Sequence, residues 1–386
     1  MHLALRRLLS CAALTSALAL TGCPKGPVEV LFEQPLGSPS HSTPALGKKA
    51  IAFGTESGNV FYYGRDGRFL AKFQAIKEVV GAPAYDEETD TFVFGSTSYV
   101  FYATSGLGKQ RWSVATRDRI KGDPIIDSGR VYFGSYDDHF YCVDLKSSRK
   151  HWIFPTRGLP AEAEPEAEAA EGEEAAEGAE APAAPAPKID TGDFSYSKPF
   201  LHEGVLYVGN MDGHLYALDA KSGEMKWRYK TGGAVTSSPW VEGDVVYFGS
   251  NDNLLHAIKT DGKTKVFEHK TGGWVNASPV VHEGVLYCGS DDGKLYALDP
   301  ATGAQKWAFD TGGEIKSRPA FHGDKVIITS GARASGAWII NRADGTLFHR
   351  HETAGKVESD PVVENGVLFL TTGDGTFLGL KLPAAG

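Results

Sequence analysis

From residue 44 onward, apolar and polar positions follow one short cycle. Val245-Val246-Tyr247-Phe248-Gly249-Ser250 is followed by Asp252-Asn253, then Leu255-His256-Ala257-Ile258, then Phe267. The order returns as Leu206-Tyr207-Val208-Gly209, Asp212-Gly213, Leu215-Tyr216-Ala217-Leu218-Asp219 and Trp227. It returns again as Leu286-Tyr287-Cys288-Gly289, Asp292-Gly293, Leu295-Tyr296-Ala297-Leu298-Asp299 and Trp307. Runs rich in β-branched and aromatic residues, bounded by turn residues, predict strands. Asp-Gly and Asp-Asn between two such runs predict tight hairpins. The Leu-Tyr-Ala-Leu-Asp segment is expected to be a half-buried, alternating strand.

A proline opens each cycle, where a residue without an N–H donor suits a strand start. These are Pro44, Pro83, Pro124, Pro199, Pro239, Pro279, Pro319 and Pro361, spaced 39, 41, 75, 40, 40, 40 and 42 residues apart. Each unit holds four strand-like segments, and units of about 40 residues with four strands are the blades of a propeller. The fold expected is therefore all-β, an eight-bladed β-propeller over residues 28–383. The last unit ends at Leu378-Gly379-Leu380-Lys381-Leu382, its third segment. Phe32 precedes Pro44 by 12 residues, as Trp112, Trp227 and Trp307 precede Pro124, Pro239 and Pro319. Val28 to Phe32 is thus expected to supply the missing outer strand and close the ring, leaving no bare edge.

Ahead of the repeats, Arg6-Arg7 and the apolar run Leu8 to Leu20 read as a signal peptide over residues 1–22, too short to span a bilayer comfortably. The run ends in Leu20-Thr21-Gly22-Cys23, which resembles the lipobox of bacterial lipoproteins. That likeness implies an acylated, palmitate-bearing Cys23 followed by a tether over residues 23–27. Pro24 stands where an inner-membrane retention signal would place Asp, so the implied location is the outer membrane, facing the periplasm. Cys142 and Cys288 fall in non-adjacent blades and are expected as buried free thiols.

The segments Ala217 to Trp227 and Ala297 to Trp307 read Ala-Leu-Asp-x-x-Ser/Thr-Gly-x-x-Lys-Trp. They resemble the docking motif of pyrroloquinoline-quinone (PQQ) propeller repeats, in which the Trp packs on the neighbouring blade. The likeness implies structural docking by Trp112, Trp152, Trp227, Phe267 and Trp307. Other copies depart from the pattern: Ser148 replaces Gly, Phe267 replaces Trp and His349 replaces Trp. Two functions share this likeness: PQQ-dependent dehydrogenases, and BamB-type lipoproteins of the β-barrel assembly machinery. The enzymes carry adjacent cysteines over the cofactor and long pocket-building insertions; here no two cysteines are adjacent, and the one long insertion is a low-complexity loop. The likeness therefore implies a non-catalytic scaffold binding protein partners, a monomer within a hetero-complex, with no cofactor and no metal. A quinoprotein enzyme and a glycan- or ligand-binding envelope propeller remain the alternatives.

Charge and candidate chemistry add little to this picture. Residues 158–187 form an Ala/Glu/Gly/Pro insertion expected to be disordered. Its nine glutamates account for the whole formal net charge of −9, and an acidic balance argues against nucleic acid as a partner. The insertion reads either as a solvated appendage or as a lure for a basic partner. Asp137, Asp212, Asp252, Asp292 and Asp374 recur once per blade as hairpin residues rather than as one cation site. His202, His282 and His322 are expected to point to solvent. The loops joining fourth to first strands hold Thr231-Gly232-Gly233, Thr271-Gly272-Gly273 and Thr311-Gly312-Gly313. Trp274, which has no slot in the repeat, and Arg318 are expected there as partner contacts, with packing between blades as the alternative.

Overall fold

The computed structural model describes residues 28–155, 192–194, 196–331 and 333–384. Eight four-stranded antiparallel sheets follow one another along the chain. Blades 1 to 7 span residues 45–74, 84–115, 125–154, 200–230, 240–270, 280–310 and 320–352. Blade 8 combines residues 362–381 with the strand Glu29–Pro35, which pairs antiparallel with Thr376–Lys381. The closing strand thus lies one residue later than expected at its start and runs on to Pro35.

Second and third strands are buried along their length, as in Val245–Gly249 and Leu254–Lys259. This corrects the expectation of a half-buried third strand. Leu215, Tyr216, Ala217 and Leu218 are all fully buried because each blade is sandwiched between two neighbours. Consecutive residues, which point to opposite faces of a strand, therefore both meet a core. Each core cluster joins two adjacent blades; one, for example, unites Phe140, Trp152 and Phe194 with Leu206, Tyr216 and Leu218. Only the fourth strands alternate, as in Met225–Lys230, because their outer face meets solvent.

The outer-strand tryptophans bridge neighbouring blades. Trp112 Nε1 donates to Leu145 O at 2.7 Å, and Trp152 Nε1 to Ala220 O at 3.2 Å. Trp227 Nε1 donates to Thr260 O and Trp307 Nε1 to Arg342 O, both at 2.9 Å. Every acceptor lies in the following blade. Gly223, Gly262 and Gly345 present a bare Cα to the faces of Trp152, Trp227 and Trp307. Phe267 meets Gly303 in the same way, and Phe32 of the closing strand meets Gly67 of blade 1. Where Ser148 replaces this glycine, it keeps a left-handed φ of 62°. Cys142 and Cys288 are free and buried, in blades 3 and 6.

Candidate interaction face

The hairpins between second and third strands and the loops between fourth and first strands share one face of the disc. The hairpin aspartates bind the two together. Asp252 Oδ1 accepts the Leu254 N–H, and its Oδ2 accepts the N–H of Gly232 from the adjoining loop at 2.9 Å. Asp292 does the same for Lys294 and Gly272, and also accepts the Tyr296 hydroxyl at 2.6 Å. Asp137 accepts from Arg117 N–H and the Tyr141 hydroxyl. These carboxylate lone pairs are taken up by turn, loop and ring donors. Among the described residues, no three His, Cys, Asp or Glu side chains gather as metal ligands would.

Nearer the axis, the residue before each blade-opening proline forms a second ring. These are Thr43, Ala82, Asp123, Lys198, Ser238, Ser278, Arg318 and Asp360. At five of the eight positions the backbone N–H donates to the side chain at the next. Lys198 donates to Ser238 Oγ, Ser238 to Ser278 Oγ, and Ala82 to Asp123 Oδ1. Arg318 donates to Asp360 Oδ1, and Asp360 to Thr43 Oγ1. The three remaining steps lead to Ala82, Lys198 and Arg318, whose side chains offer no acceptor. Burial pushes Asp360 up to about 6, with the Arg318 N–H pulling the other way and the Asp123 charge adding to the rise. Asp123 is raised by burial too, against the pull of Lys198.

Trp274 stands on the face with its side chain 53% exposed. Its loop is pinned: Thr271 N–H donates to Asn253 O at 3.0 Å, Thr271 Oγ1 donates to Gly273 O at 2.7 Å, and Trp274 O accepts the Asp291 N–H at 2.9 Å. Arg318 is half-buried. Its guanidinium lies 4.8 Å over the Trp240 ring, which packs edge-on against Phe200, and burial lowers its pKa. The histidines differ from expectation. His282 stacks on Phe321 of the next blade at 3.9 Å, and His322 Nε2 lies 2.8 Å from Pro383 O. Both are half-buried, the His282 side chain being 33% exposed. Cys23 and the 158–187 insertion lie outside the described residues.

Four further apolar side chains are exposed on the same face: Ile76, Tyr99, Tyr196 and Met211. The sequence reading missed them, although the repeat register marks them. Tyr99 stands where other hairpins place Gly213, Asn253 or Gly293, and holds a left-handed φ of 69° that a bulky residue rarely adopts. Tyr196 stands where other loops place Thr236, Asn276 or Lys316. It packs 5.6 Å from Tyr136, whose ring carries Arg119 at 4.7 Å and Lys121 at 5.4 Å.

The family model described as outer membrane protein assembly factor BamB matches residues 65–193, 170–273 and 265–354. No curated protein matches. Among solved structures, BamB from Moraxella catarrhalis is similar at 18% identity and a TM-score of 0.71, over 92% of this chain and 98% of that one. The computationally designed Ika8 protein is similar at 14% identity and a TM-score of 0.70, over 90% and 98%. Sqt1 from Saccharomyces cerevisiae is similar at 11% identity and a TM-score of 0.69, over 91% and 98%. That a designed protein and a yeast protein match as well as the bacterial one shows that these likenesses report the fold alone.

Proposed function

Because the chain belongs to the family described as outer membrane protein assembly factor BamB, we propose that it is a non-catalytic scaffold in outer-membrane β-barrel assembly. In this reading Cys23 carries the lipid anchor, the propeller faces the periplasm, and the hairpin-and-loop face receives the partner. The observation that carries it is Trp274, an exposed tryptophan on a backbone held by three hydrogen bonds. A rigid aromatic costs little ordering entropy on binding, which is why such residues anchor interfaces. Tyr196, Met211, Tyr99 and Ile76 extend the apolar contact around the face. An extended strand or a loop of an assembly partner fits a surface of this kind.

The test is affinity capture of the lipidated protein from its own membranes, wild type against Trp274→Ala. The scaffold reading expects an outer-membrane barrel bearing periplasmic repeat domains to be recovered with the wild type. The variant should recover about tenfold less, the effect of losing one interface anchor. Recovery of a redox carrier or cell-wall fragments in place of a barrel would overturn it.

A further inference from the structure

The rim of the disc carries a second apolar surface, which the repeat itself isolates. Every fourth strand contains a β-bulge near its start, so that two residues lie ahead of the blade-docking position. In blades 2 to 6 these pairs are Gln110-Arg111, Lys150-His151, Met225-Lys226, Lys265-Val266 and Gln305-Lys306. Each contains a lysine or arginine. In blades 7, 8 and 1 the pairs are Leu347-Phe348, Val30-Leu31 and Phe69-Leu70, with no charge at all. These three blades are consecutive around the ring.

All but Leu70 of these six side chains are exposed, between 37% and 53%. Leu107, in the turn before the fourth strand of blade 2, extends the arc. Single exposed apolar residues are ordinary on a soluble surface. An arc that replaces a charge at the same repeat position in three adjacent blades, and in no other, is not random scatter. Its centre is blade 8, whose closing strand begins at Glu29. Cys23 precedes Glu29 by six residues, a stretch that spans at most about 20 Å when fully extended.

We infer that Leu31, Phe348 and Phe69, with their bulge partners, seat the propeller rim on the bilayer that holds the Cys23 lipid. The inference rests on the anchored reading of Cys23. The closing strand runs from this rim edge toward the hairpin-and-loop face, since it ends at Pro35 and Leu36 N–H then donates to Gly375 O of a blade 8 hairpin. Seating the opposite edge in lipid therefore leaves the Trp274 face directed away from the membrane, open to a partner. The acyl chains that the lipobox implies on Cys23 hold the chain at the bilayer, and an apolar arc beside that anchor adds buried area that fixes the orientation of the disc there.

The test uses the lipidated full chain in vesicles of phosphatidylethanolamine and phosphatidylglycerol that carry a nitroxide on the acyl chain. Leu31→Cys, Phe348→Cys, Lys226→Cys and Lys306→Cys are labelled in turn with a fluorophore; Cys142 and Cys288 are buried in the folded chain. The seat predicts quenching about twofold or more greater at 31 and 348 than at 226 and 306, as an apolar rim at the headgroup boundary demands. Equal quenching at all four positions overturns it. So does shielding of 31 and 348 that grows with protein concentration in detergent without lipid, which would assign the arc to a second copy. Placing Leu31→Lys and Phe69→Lys in the Phe348→Cys chain should abolish the excess quenching while the melting temperature holds; persistence of the quenching overturns the seat. The mass of the amino-terminal peptide reads acylation separately. An unacylated peptide overturns the anchored reading and the seat together, whereas an acylated chain with uniform quenching overturns the seat alone.

Discussion

The backbone N–H of Arg318 donates to Oδ1 of Asp360 at 2.7 Å, one of five such bonds between successive blades around the axis. The link needs an acceptor but not a charge. Asp360→Ala should cost about 1–2 kcal/mol, the loss of a buried hydrogen bond. Asp360→Asn keeps an acceptor and should melt at or above the wild-type temperature at pH 7.5. The sign follows from the raised pKa. Burial makes the folded chain hold this proton up to about pH 6, above the ordinary 3.8, so ionisation opposes folding. Wild type should therefore gain stability as pH falls through 6 toward 4, and the Asn variant should gain less. Parallel melting profiles over that range would refute the assignment.

His41 joins the closure segment to two neighbouring elements. Its Nδ1 lies 2.9 Å from Glu358 and its Nε2 lies 3.0 Å from Glu56. The Glu358 contact raises His41 above its ordinary 6.5, and the same contact holds Glu358 down to about 2. The histidine contribution is complete below pH 6.5 and is lost as pH rises through its raised value. The glutamate contribution is complete above pH 4.5 and is lost as pH falls toward 2. His41→Ala should thus destabilise by about 1 kcal/mol between pH 4.5 and 6.5, and by little at pH 9. Thermal melts across pH 4–9 decide it, and a constant difference would rule the ion pair out.

Phe32 closes the ring. It is buried against Gly67, where an added Cβ would stand 2.4 Å from its ring. Phe32→Ala should cost about 3–5 kcal/mol, as for other buried aromatics. Gly67→Ala should also destabilise, through this clash and through its φ of 77°. Deleting the strand Glu29–Pro35 should cost at least as much as Phe32→Ala. Denaturant titration measures all three, and an unchanged midpoint for the deletion would sink the closure.

Cys142 and Cys288 should react with an aromatic disulfide reagent only on unfolding. Burial pushes Cys142 up to about 12 and raises Cys288 as well, so neither offers thiolate at neutral pH. Two thiols titrating rapidly in the native protein would contradict their placement.

The eight-unit count, the four strands per unit and the need for an amino-terminal closing strand were all legible from proline spacing and turn residues. These signals are local, and a repeat prints them eight times. Trp274 was legible for the same reason, because a residue that breaks the register announces itself. Tyr99, Tyr196 and the uncharged bulge pairs carry the same kind of signal and emerge once each residue is compared with its equivalents in other blades. Contacts across the ring are another matter. That Arg318 lies over Trp240, that His282 stacks on Phe321, and that a strand alternating in sequence is buried on both faces depend on which blades stand beside it. Local pattern specifies the blade. Only closure of the disc decides which side chains meet at the axis, because those neighbours lie one or more whole repeats apart in the chain.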